Sequence, residues 1–305
     1  MANFCCNNYW FPLFGKLGGF VVMEDIQHIS DTALWIAAYR ARESERPDAA
    51  FKDPLARKLS GPRGFSMVET TPYTEAMAFA MMTRTTAIDR LVRYAILRGV
   101  DTIINLGAGL DTRPYRMELP PTLQWIEVDF SAMIDYKNDL LKDDIPVCKL
   151  RRIASDLSRD SDRQSLFARL GKETKNALII TEGVIGYLAN KQAEKLSYDL
   201  YAVPTYQYWI MDYTQGERRN NAYLKKLNKE KLARAPLQFN EPHPLQFFGR
   251  QGWEVEENIM MLDEAERIGR RMPLRFPWTL FNAIFPRKMK ALGNKTYGYV
   301  MFTRS

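Results

Sequence analysis

Glycine and acidic residues follow two short apolar runs of this sequence at a spacing that suits a bound nucleoside. Gly107 and Gly109 follow the run 101–106, where Gly107 permits a tight turn and Gly109 lets a ligand approach the backbone. Asp129 ends the next run about 20 residues later, where a carboxylate can accept hydrogen bonds from both hydroxyls of a ribose. The alternative is that Asp129 caps the helix predicted to begin at Ser131.

Acidic residues also end the third and fourth apolar runs. Asp156 and Leu157 follow the third run, where a carboxylate can accept from an exocyclic amine and a leucine can cover a flat base; a simple turn cap is the alternative. Glu182 follows ALIIT and does not suit core filling, because a buried carboxylate without a partner is costly. With Asp111, four acids are expected to border one pocket, which favours a positively charged ligand.

The same pattern argues against a dinucleotide. The dinucleotide-binding fingerprint has a third glycine where this chain has Thr112, and the carboxylate of Asp111 would repel a pyrophosphate. A ligand with a cation, a ribose and an amino-purine fits better. S-adenosylmethionine is the common metabolite with that combination.

These residues must be positioned by alternating strands and helices. Five apolar runs of strand length lie at 101–109, 123–130, 146–157, 176–183 and 205–214. The helical segments between them predict right-handed crossovers and an α/β fold with a doubly wound, mostly parallel sheet, whose ligands bind beyond the carboxyl ends of the strands. The aromatic-rich stretch 295–304 predicts a late strand with antiparallel pairing.

The first hundred residues have a helical pattern. It begins near Ser30, continues with a short helix over 51–59 and ends with a long helix from Pro72 to Gly99. We therefore expect a helical cap at 23–100 and a Rossmann-like core at 101–305, with a helical insertion at about 214–250. Residues 1–22 are aromatic and almost uncharged, which predicts a disordered tail or an extension.

The composition is that of an ordinary globular protein. The chain has 305 residues, 46% of them hydrophobic and 26% charged, which excludes a disordered or collagen-like chain. Its apolar stretches are shorter than the roughly 20 residues that span a bilayer. Three cysteines and two histidines match no metal-binding pattern, so we expect no metal site and a reducing, cytoplasmic location.

The net charge of +7 is concentrated in the last third of the chain. Residues 214–305 contain 17 basic and 9 acidic residues, whereas the rest is close to neutral. This excess indicates either a solvated helical face or a surface for nucleic acid, anionic lipid or an acidic substrate.

The combined motifs resemble those of the leucine carboxyl methyltransferase family. This group of class I S-adenosylmethionine-dependent methyltransferases includes bacterial enzymes that act on polyketide carboxylates. The motifs are LGAGLDTRPYR, IEVDF, ASDL and TEGVIGYL, with SDTALWIAAYRARE, FKDPLA and MMTRTTAID upstream and GW and the final strand downstream. The resemblance implies a seven-stranded class I methyltransferase fold, with S-adenosylmethionine as the cofactor.

The resemblance implies contacts to the amino acid part of that cofactor. Arg84 would pair with the carboxylate of the methionine moiety, and Gly107 would contact the same moiety through its backbone. Glu182 would lie near the methionine amino group or the sulfonium. The physical case for Arg84 is that the lone carboxylate of the cofactor needs a cation in an acid-lined pocket; the alternative is a solvated charge on the third helix. Arg40 is a loose candidate in the first helix.

The resemblance also implies contacts to the nucleoside. Asp129 would hold the ribose hydroxyls, with Gly109 in the turn beside it. Asp156 and Leu157 would hold the adenine.

The acceptor is expected to be a carboxylate of a small, acidic molecule. A carboxylate is ionised at neutral pH, so in-line methyl transfer to it needs alignment and desolvation but no general base. Arg113 could clamp an acidic acceptor or face solvent, and Tyr187 could orient the acceptor or pack over the site. A phenol acceptor would need a base, for which His243 is the histidine available late in the chain, although a structural role suits it better.

Two other functions stay open at this point. The basic last third of the chain would suit a methyltransferase acting on a protein C-terminus or on RNA, although nucleic acid is the less favoured partner. A protein that binds S-adenosylmethionine without catalysis is the second alternative, because a fold alone does not prove chemistry. The oligomeric state is also left open by the sequence.

Overall fold

Seven strands form one sheet in the computed structural model of this chain, which describes residues 29–70, 74–216, 232, 235–273, 278–285, 287, 288, 290 and 297–305. The strands are β1 (Thr102–Leu106), β2 (Gln124–Asp129), β3 (Lys149–Ala154), β4 (Ala177–Thr181), β5 (Tyr206–Thr214), β6 (Trp253–Met260) and β7 (Tyr297–Arg304).

The order of the strands confirms the predicted doubly wound topology. It is β3-β2-β1-β4-β5-β7-β6, with β1 to β5 parallel and β7 antiparallel to both of its neighbours. The order reverses between β1 and β4, which is the point where ligands bind in such sheets. All residues of β1 and β4 are buried, as expected for central parallel strands covered on both faces.

Helices lie before, between and after the strands. They are α1 (Ile29–Ser44), α2 (Ala56–Glu69), α3 (Thr74–Leu97), α4 (Arg113–Arg116), α5 (Ser131–Leu141), α6 (Asp160–Glu173), α7 (Asn190–Tyr201), α8 (Pro244–Gly249), α9 (Met261–Arg267) and α10 (Trp278–Ile284). A 3-10 turn at Ile185–Tyr187 precedes α7. None of the described helices is both long and apolar enough to cross a bilayer.

The second helix differs from the sequence prediction. A helix over 51–59 was expected, whereas α2 begins at Ala56 and continues to Glu69. Its backbone is kinked at Gly61, whose φ of +56° is favourable for glycine only, and Pro62 follows directly. The non-helical backbone at Gly61 divides Ala56–Glu69 into two helical segments that meet at a kink, so the first segment ends close to the predicted end at 59. The first helix already contains Ser30, which was predicted to lie at its start.

The described part of the insertion contacts both the N-terminal helices and the sheet. Leu232 packs with Trp35 and Met81, and Phe239 packs with Phe248 in the core. Residues 217–231, 233 and 234 of the predicted insertion, and residues 1–22, lie outside the described residues. The division into cap, core and insertion stays a prediction.

A buried ion cluster supports β2, the strand that ends in Asp129. Glu127 is fully buried, and its carboxylate accepts hydrogen bonds from Nζ of Lys137 at 2.7 Å and from Nε of Arg152 at 2.8 Å. Lys137 is also fully buried, and this burial lowers the pKa of its ammonium group. The cluster joins α5, β2 and β3 next to the carboxyl ends of the strands.

We expect Lys137→Ala to lower the free energy of unfolding by about 3–5 kcal/mol, because it leaves the Glu127 carboxylate buried with one of its two cations missing. Urea unfolding monitored by tryptophan fluorescence measures this loss. Lys142→Ala, at an exposed position just after the same helix, is the control and should change stability by no more than about 0.5 kcal/mol. Equal losses for the two variants would contradict the assignment.

Candidate functional site

A cavity of about 640 Å³ lies beyond the carboxyl ends of β1 to β4 and is covered by α1 and α7. Its size is in the range of small-molecule sites. The sequence-predicted residues that line it are Arg40, Arg84, Gly107, Gly109, Asp111, Arg113, Asp129, Leu157, Glu182 and Tyr187. Asp156 and His243 are not part of the lining.

The glycine turn after β1 is held between β2, the loop after β4 and α1. Gly107 has a φ of +65°, and a Cβ added there would come within 2.6 Å of the side chain of Val184. Gly109 has a φ of +47° and donates its backbone N–H to Oδ2 of Asp129 at 2.7 Å. Side chains larger than hydrogen are therefore excluded from this turn, and the turn lies against the acid of β2.

The turn after β3 is stabilised by Asp156 itself. Its Oδ1 accepts hydrogen bonds from the backbone N–H of Ser158 at 3.0 Å and from the Ser158 hydroxyl at 2.6 Å, and the hydroxyl bond lowers the pKa of Asp156. Oδ2 has Nε of Arg159 at 3.5 Å. The carboxylate thus shapes a turn whose Ser155, Leu157 and Ser158 line the cavity.

Glu182, directly after β4, is paired with two arginines from different elements. Its Oε1 lies 2.8 Å from Nε of Arg84 on α3, and its Oε2 accepts a hydrogen bond from Nη1 of Arg113 at 2.8 Å. The pairing explains how a carboxylate can follow a fully buried strand without the cost of an uncompensated charge.

Arg84 is only 8% exposed, yet it keeps unused hydrogen-bonding capacity at the cavity. Its Nε lies 2.8 Å from Oε1 of Glu182 but makes no hydrogen bond with a described residue, because the N–H is not aligned with the carboxylate. Nη1 lies 3.9 Å from Oδ2 of Asp212, beyond hydrogen-bond distance. Burial alone would lower the pKa of Arg84, but Glu182 and Asp212 raise it, so the side chain stays cationic. A buried guanidinium with uncommitted donors is a ready anion site.

Arg113, which the sequence analysis offers as a clamp for an acidic acceptor, is almost fully buried. It donates to Oδ1 of Asp89 at 2.7 Å and to Oδ2 of Asp111 at 2.9 Å, in addition to Glu182. Arg116 completes the cluster with two hydrogen bonds to Asp89, at 2.6 and 2.8 Å. Arg113 is 2% exposed and therefore does not face solvent; it holds three carboxylates together at the cavity that it lines.

Of the four acids expected to border the pocket, Asp111, Asp129 and Glu182 line the cavity and Asp156 does not. Asp111 also accepts from Nδ2 of Asn105 at 2.8 Å, and its charge is committed to Arg113. Burial alone would raise the pKa of Asp111, but the guanidinium of Arg113, with smaller effects of Lys137 and Arg116, holds that pKa well below its usual range.

The floor of the cavity nevertheless keeps a negative excess. Within the described residues its ionic cluster contains five carboxylates and four guanidinium groups, so one negative charge remains. The carboxylates are Asp53, Asp89, Asp111, Glu182 and Asp212, and the guanidinium groups are Arg40, Arg84, Arg113 and Arg116.

Asp212 and Asp89 are site residues that the sequence analysis missed. Asp212 lies near the end of β5, and its carboxylate accepts the backbone N–H of Gly183 and the hydroxyl of Tyr297, each at 2.6 Å. The strand-end argument used for the other acids would have found it. Asp89 lies in the interior of the long helix α3 and follows no strand, so the strand-end argument does not apply to it.

Tyr187 lines the cavity from the 3-10 turn, and the described end of the insertion packs on that turn. The backbone N–H of Gln238 donates to the carbonyl of Gly186 at 2.8 Å, and its side-chain amide donates to the carbonyl of Tyr187 at 3.0 Å. Gln238 also lines the cavity. Gln238 therefore borders the cavity on the side of Tyr187.

His243 lies away from the cavity at the start of α8, where it is exposed. Its backbone N–H donates to Glu241 at 3.1 Å and its carbonyl accepts from Phe247 at 2.9 Å. These two hydrogen bonds place His243 at the residue that precedes the first turn of α8. In the parts of the chain that the structure describes, no group of three or more histidine, cysteine or acidic side chains could hold a metal ion.

Comparison with known proteins assigns this arrangement to a family. The family model described as leucine carboxyl methyltransferase matches residues 33–200, more than half of the chain. A Streptomyces coelicolor protein named "Putative S-adenosyl-L-methionine-dependent methyltransferase" is 33% identical over 174 residues, which cover 54% of this chain and 62% of that protein. A Mycobacterium protein (strain KMS) of the same name is 27% identical over 272 residues, 82% of this chain and 90% of the relative. The chain thus spans about three fifths of the Streptomyces relative.

Two solved structures share the fold. A DUF574 family protein from Streptomyces avermitilis has a TM-score of 0.57 at 14% identity, with 88% of this chain and 97% of that chain covered. A protein from Thermobifida fusca, described as a putative methyltransferase, has a TM-score of 0.55 at 13% identity, with 90% and 94% covered.

We expect the free energy of unfolding to fall as the pH drops below about 4, because the pKa values of Asp89 and Asp111 are lowered in the folded state. Their stabilisation is complete above the unfolded-state pKa of about 3.9 and is lost as the pH falls towards the folded-state values. Urea unfolding between pH 7 and pH 3 measures the slope.

In the Asp89→Asn variant that slope should be smaller by up to about 1.4 kcal/mol per pH unit, since one proton fewer is taken up on unfolding. Asp139→Asn, at an exposed site on α5, should keep the wild-type slope. An unchanged slope in Asp89→Asn would rule out the network as the source of the acid sensitivity.

Proposed function

Because this chain belongs to the leucine carboxyl methyltransferase family, we propose that it is an S-adenosylmethionine-dependent methyltransferase that O-methylates a carboxylate of a small acidic molecule. Support comes from the match of the family model and from relatives named as S-adenosyl-L-methionine-dependent methyltransferases. The finer assignment, a carboxylate acceptor, rests on the chemistry of the cavity.

The observation that carries the proposal is the state of Arg84. Arg84 is a buried, cationic guanidinium at the cavity that is ion-paired with Glu182 but makes no hydrogen bond to any described residue, and it fits the carboxylate of the methionine moiety, the anionic group of S-adenosylmethionine. Glu182 beside it would face the ammonium group or the sulfonium of the same ligand. The residues present therefore fit the cofactor.

The net charges also match. S-adenosylmethionine carries one carboxylate, one ammonium group and one sulfonium, a net charge of one positive unit. The ionic cluster at the floor has one excess negative charge among its described members. A cation is thus favoured at the floor, whereas a pyrophosphate would be repelled.

The nucleoside would lie along the ends of β2 and β3. Asp129 would accept from the ribose hydroxyls beside the Gly109 turn, whose backbone it already holds. Leu157 offers an apolar surface to the base. Asp156 lies next to the lining, and its Oδ2 would accept from an exocyclic amine in place of its 3.5 Å contact with the exposed Arg159. The backbone of Gly107 would approach the methionine moiety.

S-adenosylmethionine supplies a methyl group on a positively charged sulfur, and in-line transfer to an acceptor oxygen leaves the bond's electron pair on sulfur. The chain's part is to bind, align and exclude water. The described lining of the cavity contains no histidine or cysteine that could serve as a base near pH 7. An acceptor that arrives already ionised, such as a carboxylate, suits this lining.

An acidic acceptor is also supported by Lys191 in the first turn of α7. It lines the cavity and forms no ion pair with any described residue, whereas the neighbouring Lys195 is paired with Asp160. Tyr187 lies on the same side of the cavity and would orient the acceptor. Arg113 is bonded to three carboxylates, and we propose that it positions Glu182 rather than binding the acceptor.

We expect Arg84→Gln to weaken the binding of S-adenosylhomocysteine at least about tenfold, because it removes a charge-assisted hydrogen bond to the ligand's carboxylate. Binding of 5′-methylthioadenosine, which has the nucleoside but no amino acid part, should stay within about twofold of wild type. Isothermal titration calorimetry measures both affinities.

Two further variants serve as controls for that experiment. Arg93→Gln, at an exposed position on the same helix, should change neither affinity. Asp129→Asn should weaken both ligands, since the ribose is common to them. If Arg84→Gln weakens both ligands equally, or neither, the proposed carboxylate contact is wrong.

We expect label from methyl-tritiated S-adenosylmethionine to pass into the small-molecule fraction of a cell extract and to be released as volatile methanol by mild alkali. Methyl esters of carboxylic acids hydrolyse under these conditions, whereas methyl ethers and methylated amines do not. Heat-inactivated protein is the blank. Alkali-stable label would contradict a carboxylate acceptor, and label in the protein or RNA fraction would favour a macromolecular substrate.

A further inference from the structure

We propose that Arg163 on α6 is a positioning residue that sets the base specificity of the nucleoside site by holding the turn after β3. The inference rests on the proposed function, because it requires that this turn receives the base of the bound nucleoside. Neither the sequence motifs nor the ionic floor includes Arg163.

The contacts of Arg163 join three segments. Its Nη1 donates to the backbone carbonyl of Leu157 at 2.8 Å, and its Nη2 donates to Oδ1 of Asp160 at 2.7 Å. Its Nε donates to Oδ2 of Asp199 on α7 at 2.8 Å, and Nη2 contacts the same oxygen. One guanidinium therefore fixes the turn after β3 against both α6 and α7.

The site of this contact is buried and belongs to the cavity. Arg163 is 5% exposed and, together with Leu157 and Asp160, lines the cavity. Asp160 and Asp199 balance its charge, so the cost of burying the guanidinium is offset. Gln164 donates to the other oxygen of Asp199 at 2.9 Å and holds that carboxylate in place.

The held carbonyl is next to the residue proposed to recognise the base. Leu157 directly follows Asp156, so the position of the Leu157 peptide determines where the Asp156 carboxylate and the leucine side chain lie. Hydrogen bonds weaken steeply when their angle departs from linear. A site that pairs with a particular polar group of its ligand loses selectivity when its own polar group moves.

Lysine cannot replace arginine at this position. The planar guanidinium reaches the Leu157 carbonyl and the Asp199 carboxylate with different nitrogens at the same time, whereas a lysine has one nitrogen at the end of a flexible chain. Arg163→Lys therefore keeps the charge and removes the bridge. It is the substitution that separates positioning from electrostatics.

The test compares two ligands that differ at the exocyclic group of the base. S-adenosylhomocysteine has an amine there, and S-inosylhomocysteine has a carbonyl oxygen. Their Kd values are measured by calorimetry for the wild type, for Arg163→Lys and for Arg169→Lys, an exposed arginine on the same helix. The ratio of the two Kd values is the readout, because a general loss of stability weakens both ligands alike.

We expect the wild type and Arg169→Lys to prefer the adenine ligand, and Arg163→Lys to lower that preference about tenfold, which corresponds to one hydrogen bond to a charged group. In turnover, KM for the methyl donor should rise while kcat changes little. Asp199→Asn, which weakens the other end of the bridge, should lower the preference in the same direction and replaces Arg163→Lys should that variant not fold.

Three outcomes would overturn the inference. An unchanged ratio in both bridge variants would show that Arg163 only supports the fold. A wild type that binds the two ligands equally would show that the base is not read at this turn. A wild type that binds neither ligand would refute the proposed function itself, and is distinguishable because binding is then absent before any substitution.

Discussion

The pairing of Glu182 with Arg84 and Arg113 is the interaction on which the site depends. A carboxylate at the end of a buried strand is costly unless cations compensate it, and here each oxygen faces a different arginine. Arg113 is held in turn by Asp89 and Asp111, so that α3, α4 and the ends of β1 and β4 are joined through one guanidinium. The cavity floor is thereby built before any ligand arrives, and preorganisation of this kind lowers the cost of binding.

The floor and the upper part of the cavity are assembled in different ways. Charge fixes the floor, whereas backbone hydrogen bonds and apolar packing close the remainder. Gln238 bonds the turn that carries Tyr187, and Leu232 packs on Trp35 of the first helix. Segments far apart in sequence thus enclose the same volume. A ligand that displaces water from this volume would strengthen the electrostatic contacts inside it.

Much of the fold and part of the site could be predicted from the sequence. Strand ends are marked locally, because a buried run that stops at a glycine or an acid leaves few alternatives, and Gly107, Asp129 and Glu182 were found in this way. The pairing of those acids could not be predicted, since Arg113 reaches Asp89 across 24 residues through tertiary packing. Arg163 could not be predicted for the same reason. The sequence of α6 does not distinguish a buried arginine that bonds distant segments from an arginine at the surface of the helix.

The last strand has a consequence for how the protein matures. β7 follows every other strand along the chain, yet it inserts between β5 and β6 and brings the Tyr297 hydroxyl to Asp212. During translation the first five strands leave the ribosome while this partner is still unsynthesised. Asp212 then keeps the backbone N–H of Gly183 but lacks the Tyr297 hydroxyl, and β5 is an open edge. The second oxygen of this carboxylate therefore gains its donor only when the last strand has paired.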